Sequence, residues 1–166
     1  ETGAQERAKA SVQNSMAHID RIPEKERYLV RAIEAEIYQG FAAGIFVLRE
    51  MEKVYPNEKE MLYNIGDWSY HNGDMNAAAE YLERVLAMDP TMERALEHLS
   101  WTYRDTRQYE KMLDVAKRYV AVAGSVEAYD LLMRSYVGLK RLEEGLKTLQ
   151  QARDLFPSNF QLSGTI

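Results

Sequence analysis

The sequence predicts an all-α chain of tandem helical hairpins, on three observations: a proline lattice, apolar residues at helical spacing, and turn residues that split the helical runs. The steps from Pro23 to Pro56 and from Pro56 to Pro90 are nearly equal, the step from Pro90 to Pro157 is twice as long, and Ala123-Gly124 occupies the vacant node. A period of about 34 residues marks a repeat protein, because one hairpin buries its apolar face only by stacking on its neighbours. With 46 % hydrophobic residues among 166, the chain suits a single domain with a sizeable core.

Residues 1–24 form an N-terminal helix by this reading. Ala10, Val12, Met16 and Ile19 recur at helical spacing between Ala4 and Asp20, half a repeat that ends before Pro23. Glu1-Thr2-Gly3 resembles an expression-tag remnant and lacks an initiator Met, so the chain is expected to be a processed or excised piece. The first hairpin, 25–58, places Tyr28, Ala32, Ala35, Phe41, Gly44, Leu48 and Pro56 on the repeat frame. In the second, 59–92, apolar runs Glu60–Tyr70 and Met75–Met88 are divided by Asn72-Gly73-Asp74, where Gly73 suits the left-handed residue that ends a helix. Pro90-Thr91 closes that hairpin, and Asn57 with Glu60 reads as a capping box that opens it. Shifting by one period gives the third hairpin, 93–125, with Leu96, Leu99, Ser100, Tyr103, Tyr109, Ala116 and Tyr119 in frame. The fourth, 126–159, carries Tyr129, Leu132, Tyr136, Leu142, Gly145, Leu149, Ala152 and Pro157. The tail, 160–166, is too short for the polar helix that normally covers the last face of such an array. Leu146, Leu149 and Phe156 are therefore expected to be partly uncovered. Either the natural chain continues at both ends or that face docks on something, a second copy included.

Tyr63-Asn64-Ile65-Gly66, Tyr70, Gly73-Asp74, Ala78, Glu80-Tyr81-Leu82, Leu86 and Asp89-Pro90 together resemble a tetratricopeptide repeat. The resemblance implies a right-handed α-α superhelix, a solenoid of four helical hairpins plus the N-terminal helix. It also implies small residues at the eighth, twentieth and twenty-seventh positions of each repeat, and large apolar ones at the fourth, seventh, eleventh and twenty-fourth. Counted from Lys59, the small slots hold Gly66, Ala78 and Val85 and the large ones Leu62, Ile65, Ser69 and Leu82. Val85 and Ser69 depart from the pattern, as does Met112 in an alanine slot of the third repeat. The phrase Ile22 to Arg27, with Ala32 and Tyr55-Pro56-Asn57, is similar to repeat arrays of bacterial multidomain regulators such as serine/threonine kinases and adenylate cyclases. That likeness fits an excised sensor or docking region.

Several function classes are excluded by composition. No cysteine is present, so disulfides, thiolate metal sites and thiol nucleophiles are absent together. Net charge is −5, with no basic run to neutralise a row of phosphates, which argues against nucleic acid. The longest apolar run, around Phe41 to Leu48, is broken by Gly44 and too short to insert in a membrane. The compartment is read as cytoplasmic by default, with the periplasm and secretion open. His18, His71 and His98 have no second His or Cys at ligand spacing, and Glu97-His98 are adjacent in a helix and point apart. Gly40 and Gly44 are read as a helix-turn residue and a close-packing residue, not as a phosphate loop. No catalytic, cofactor-binding or metal-binding residue is expected, and the chain is read as not an enzyme.

By the resemblance, binding belongs to the concave face, at positions two, five, nine, twelve and thirteen of each first helix. These are Glu26, Leu29, Ile33, Glu36 and Ile37; Glu60, Tyr63, Asp67, Tyr70 and His71; Arg94, Glu97, Trp101, Arg104 and Asp105; and Glu127, Asp130, Arg134, Val137 and Gly138. Acids outnumber arginines there by eight to three. The expected partner-binding set is Glu60, Tyr63, Asp67, Tyr70, His71, Arg94, Glu97, Trp101, Arg104, Asp105 and Arg134. Tyr63, Tyr70 and Trp101 would serve there as rigid aromatic anchors, or else pack on neighbouring helices, and Trp68 is expected between repeats. A clamp for a terminal carboxylate is not formed: Asn64 matches one of its positions, while Leu29 and Ile33, or Tyr63 and Asp67, stand where Lys and Asn are needed. The expected role is a protein-interaction scaffold for a protein or peptide with basic residues. The alternative is a structural spacer, an oligomerisation element working through uncapped ends, or a regulatory arm of a larger protein.

Overall fold

The structure is a computed structural model and describes residues 2–160. Every regular element among them is helical: α1 (Thr2–Ala17), a 3-10 turn (Ile19–Arg21), α2 (Glu24–Gln39), α3 (Phe41–Val54), α4 (Lys59–His71), α5 (Met75–Met88), α6 (Glu93–Asp105), α7 (Tyr109–Ala123), α8 (Val126–Gly138), α9 (Leu142–Leu155) and the short α10 (Pro157–Phe160). The chain divides into two compact units, residues 1–84 and 85–166, with the division falling inside α5. In each, helices adjacent in sequence pack on one another as hairpins.

In the first unit α1 packs on α2, α2 on α3 and α3 on α4. Gln13 Nε2 donates to the Tyr38 hydroxyl across 2.9 Å, which ties α1 to α2. Of the apolar stripe read on α1, Val12 is buried, Met16 is half-buried and Ala10 is exposed. The helix begins at Thr2, within the tripeptide set aside as foreign. A single residue, Gly40, joins α2 to α3, with φ +92° and ψ 173°, a backbone region open in practice only to glycine. Gly44 permits the close approach of Trp68: a Cβ there would lie 2.7 Å from Trp68 Cζ3 and 3.0 Å from the Ala32 carbonyl oxygen. Trp68 is accordingly buried. Gly66 admits Leu82 in the same way, with Leu82 Cγ 2.8 Å from where its Cβ would be. Glu52 of α3 then locks onto α5, accepting from the Tyr81 hydroxyl at 2.7 Å and pairing with Arg84 Nη1 at 2.7 Å.

In the second unit α6 packs on α7, α7 on α8 and α8 on α9. Three hairpin turns across the two units share one hydrogen-bond pattern. Gly73 N–H donates to the Tyr70 carbonyl and Asp74 N–H to Ser69; Arg107 and Gln108 donate to Arg104 and Tyr103; Lys140 and Arg141 donate to Val137 and Tyr136. This is the paired 5→2 and 6→1 bonding that satisfies the last carbonyls of a helix and requires a left-handed residue. Gly73 supplies it at φ +84°, Arg107 at +57° and Lys140 at +60°. A second recurring contact is made by an arginine of the repeat's second helix. Arg84 donates to the Pro56 carbonyl at 3.4 Å, and Arg118, one period on, donates to Pro90 at 3.3 Å. Buried hydroxyls are satisfied locally, Ser100 Oγ on the Leu96 carbonyl at 2.8 Å and Ser135 Oγ on Leu132 at 2.7 Å.

The helix starts bring one correction. The Asn57–Glu60 capping box is not formed: the residue before α4 is Glu58, which makes no side-chain cap. Asn57 lies in the turn closed by the Glu58 N–H to Tyr55 carbonyl bond, and the Glu58 carboxylate is drawn to Lys25 Nζ at 2.9 Å instead. Side-chain caps occur elsewhere, from Asp74 Oδ1 to the Ala77 N–H and from Ser125 Oγ to the Ala128 N–H.

Candidate functional site

The face in question is built from first helices. On α6, Glu97, Trp101 and Arg104 are spaced i, i+4, i+7, and on α8 Glu127, Asp130 and Arg134 are spaced i, i+3, i+7, so each trio shares one side of its helix. Helices α6 and α8 are in contact, and the six side chains, with Val126 and Leu131, line an open cleft of about 420 Å³. All six came from the repeat register.

The two arginines of the cleft are already occupied. Arg134 is ion-paired with Asp130 across one helical turn, and Arg104 reaches Asp105 through Nε at 2.7 Å and Nη2 at 3.3 Å. Glu97 and Glu127 make no hydrogen bond or ion pair among the described residues. Burial pushes the Glu97 carboxyl above its ordinary pKa, the nearby Glu127 adds to the rise, and His98 opposes it. The same field reaches α7, where the Tyr119 phenol is raised first by burial and then by Glu97, with smaller contributions from Glu127 and Glu93. With both arginines paired to aspartates, the charge left over in the cleft is negative and attracts a cation. Beside the acids, Trp101 is half-buried, its ring 4.6 Å from that of His98, and His98 Nδ1 lies 2.9 Å from the Arg94 carbonyl. A carbonyl only accepts, so that nitrogen carries the proton.

The first unit assembles a smaller acidic group. Glu36 of α2 is raised by burial and then by Asp67 of α4. Asp67 Oδ1 lies 3.5 Å from His71 Nε2, and the His71 ring stacks on Phe41 at 5.4 Å with Tyr70 edge-on at 5.2 Å. Glu60, Arg94 and Asp105 are exposed, and Tyr70 is half-buried.

Tyr63 is a correction. The residue is 5 % exposed and belongs to the core, because α4 is apolar around most of its circumference: Met61, Leu62, Ile65 and Trp68 are buried with it. Gly138 lies half-buried against Tyr109, where a Cβ would fall 2.3 Å from Cδ1 of the ring. Two cleft residues were missed by the register, Val126 and Leu131. Their only sequence signal was an apolar residue beside an acidic position of α8.

The arrangement defines a class first: helical hairpins repeated along the chain, with a side-chain face built from their first helices. Residues 59–92 match the family profile described as tetratricopeptide repeat. Residues 59–92 thus form a tetratricopeptide repeat within an all-α series of helical hairpins. Among solved structures it is similar to MamA from Desulfovibrio magneticus RS-1, from residue 41 to the end, with a TM-score of 0.74 and 26 % identity, covering 82 % of this chain and 77 % of that one. Another MamA crystal structure gives a TM-score of 0.80 at 16 % identity over 99 % of this chain and 93 % of that one, and a further one 0.79 at 17 % over 97 % and 98 %. At those identities the likeness concerns the fold, an all-α series of hairpins. No curated protein sequence matches the chain. Among the described residues no helix is long and apolar enough to cross a membrane.

Proposed function

We propose that the α6–α8 cleft is the partner site of this scaffold and that it takes a polypeptide segment bearing Lys or Arg. The observation that carries this is the pair Glu97 and Glu127, two carboxylates without a cationic partner beside a half-exposed Trp101. A cationic side chain placed between them relieves like-charge repulsion, while its aliphatic stem or a neighbouring residue packs on the indole. The acidic group around Glu36 and Asp67 extends the same preference to the first unit.

Fluorescence titration tests it, because the other tryptophan, Trp68, is buried. A synthetic Lys/Arg-containing peptide should perturb Trp101 emission and bind more weakly as salt rises, and the matched Glu-containing peptide should not bind. Glu97→Gln with Glu127→Gln should weaken the basic peptide by about tenfold or more without lowering the melting temperature. Equal binding of both peptides, or indifference to the double substitution, would refute the assignment. Lowering pH should also weaken binding, beginning above the ordinary carboxylate range because the Glu97 carboxyl takes up its proton early.

A further inference from the structure

We infer that Arg107 and Lys140, on the turn edge of residues 85–166, dock into the Glu97–Glu127 cleft of a second copy of this chain, so that copies join head to tail. This rests on that cleft taking a segment that bears Lys or Arg. Arg107 and Lys140 hold one repeat position, the left-handed residue of the turn after each first helix, at φ +57° and +60°. In residues 1–84 glycine holds it, Gly73 at φ +84°. A left-handed backbone is unfavourable for a residue with a Cβ and not for glycine, so the hairpin itself gives no reason for a cation here. Both residues are exposed, and neither side chain makes a hydrogen bond or ion pair among the described residues. Between the two turns lies an open hollow of about 330 Å³, lined by Arg107, Gln108, Tyr109, Glu110, Lys111 and Leu139. Glu110 alone among them is acidic, and Lys140 follows directly on Leu139.

Charge and spacing pick out the second copy. Glu97 and Glu127 are carboxylates without a hydrogen bond or ion pair among the described residues, and they sit on α6 and α8, which are in contact. Arg107 and Lys140 stand just past the C-terminal ends of the same two helices. Both pairs are therefore set apart by one separation, that of α6 from α8, and two cations can meet two carboxylates one to one. They cannot meet within a chain, because about 15 Å of helix lies between Glu97 and Arg107. The contact is heterologous: each copy offers an acidic cleft to one neighbour and a basic edge to the next.

Sedimentation velocity of the whole chain at low salt, over about a hundredfold range of concentration, should show assembly into species larger than a dimer that dissolve as salt rises. Arg107→Gly with Lys140→Gly should weaken assembly by about tenfold or more while the melting temperature holds or rises, which separates a lost contact from a lost fold. Arg107→Glu with Lys140→Glu should be monomeric alone, as should Glu97→Lys with Glu127→Lys. Mixed, the two double variants should assemble again, since each supplies the face the other needs. A monomer at every concentration, assembly indifferent to the glycine pair, or a mixture that stays monomeric would each overturn the inference. The Lys/Arg peptide read at Trp101 keeps the two assignments apart: the glycine pair should bind it undiminished, and the peptide should dissolve the wild-type assembly. A monomeric wild type that binds the peptide overturns self-docking alone, whereas a wild type that ignores the peptide overturns the cleft assignment and self-docking with it.

Discussion

The twentieth position of the repeat is filled by Gly44 and Ala78 in residues 1–84 and by Met112 and Gly145 in residues 85–166, and all four are buried. In the first unit Gly44 faces Trp68, and no side-chain atom can be added without moving the indole or a backbone carbonyl. In the second unit the residue corresponding to Trp68 in the last repeat is Ser135, and the slot before it holds Met112. At Gly145 a Cβ would meet nothing nearer than 3.5 Å. What the slot demands is therefore a total volume shared with the next helix, not a small residue as such, in keeping with close-packed interiors that tolerate volume-conserving exchange.

The largest way to break this comparison is Trp68→Ala, expected to cost about 3–5 kcal/mol by leaving a void against Gly44. Gly44→Ala should cost about 1–3 kcal/mol by overpacking, whereas Gly145→Ala should stabilise by up to about 1 kcal/mol, the gain in helix propensity. Urea unfolding of the three variants checks the order. If Gly44→Ala and Gly145→Ala shift stability alike, volume sharing is not what distinguishes the units.

The turns sharpen the contrast at smaller scale. The first unit meets its positive-φ positions with Gly40 and Gly73, and the second meets two of its own with Arg107 and Lys140. Gly40→Ala should cost about 1–3 kcal/mol, because its φ and ψ lie where side chains are essentially not found. Arg107→Gly and Lys140→Gly should be neutral to stabilising by up to about 1 kcal/mol, as relief of the left-handed strain slightly exceeds the added unfolded-state entropy. Thermal melts of these single variants test it, and marked destabilisation by either glycine would show that its side chain contributes contacts of its own.

The smallest expected effect is electrostatic and common to both units. Glu36 and Glu97 have carboxyl pKa values raised above 4.5, each first by burial. Between 4.5 and the raised value the folded chain binds more protons than the unfolded one, so stability falls as pH rises through that window and stays lower above it. Glu97→Gln should therefore gain a few tenths of a kcal/mol at neutral pH, after discounting for solvent screening, and nothing in acid well below 4.5. Melting temperature against pH checks the sign. Coupled with loss of the basic peptide, it would mark Glu97 as a residue whose charge serves binding at some expense of stability.

Much of this molecule was legible in order along the chain. The proline period, the two runs within 59–92, Gly73 as a left-handed residue and Trp68 as a packing residue all follow from local geometry, since helical spacing and positive φ are properties of a few consecutive residues. The fate of Tyr63 was not legible, because its position in the register says which side of α4 it occupies and not how much of that side other helices cover. The Asn57 cap failed for a related reason: Glu58 found Lys25, far off in sequence at the start of α2, and left its own helix start uncapped.

From the sequence alone came the all-α class, the hairpin period, the absence of thiol chemistry and the excess of acid over base on the first helices, for each depends on residue type and spacing. Only the tertiary structure decided that Glu97 and Glu127 share one cleft, that Arg104 and Arg134 are each taken by an aspartate, and that Leu146 is open where Leu113 is covered. Charge pairing and burial are set by which helices come within a few ångströms of one another, and that is a property of packing that no single repeat encodes.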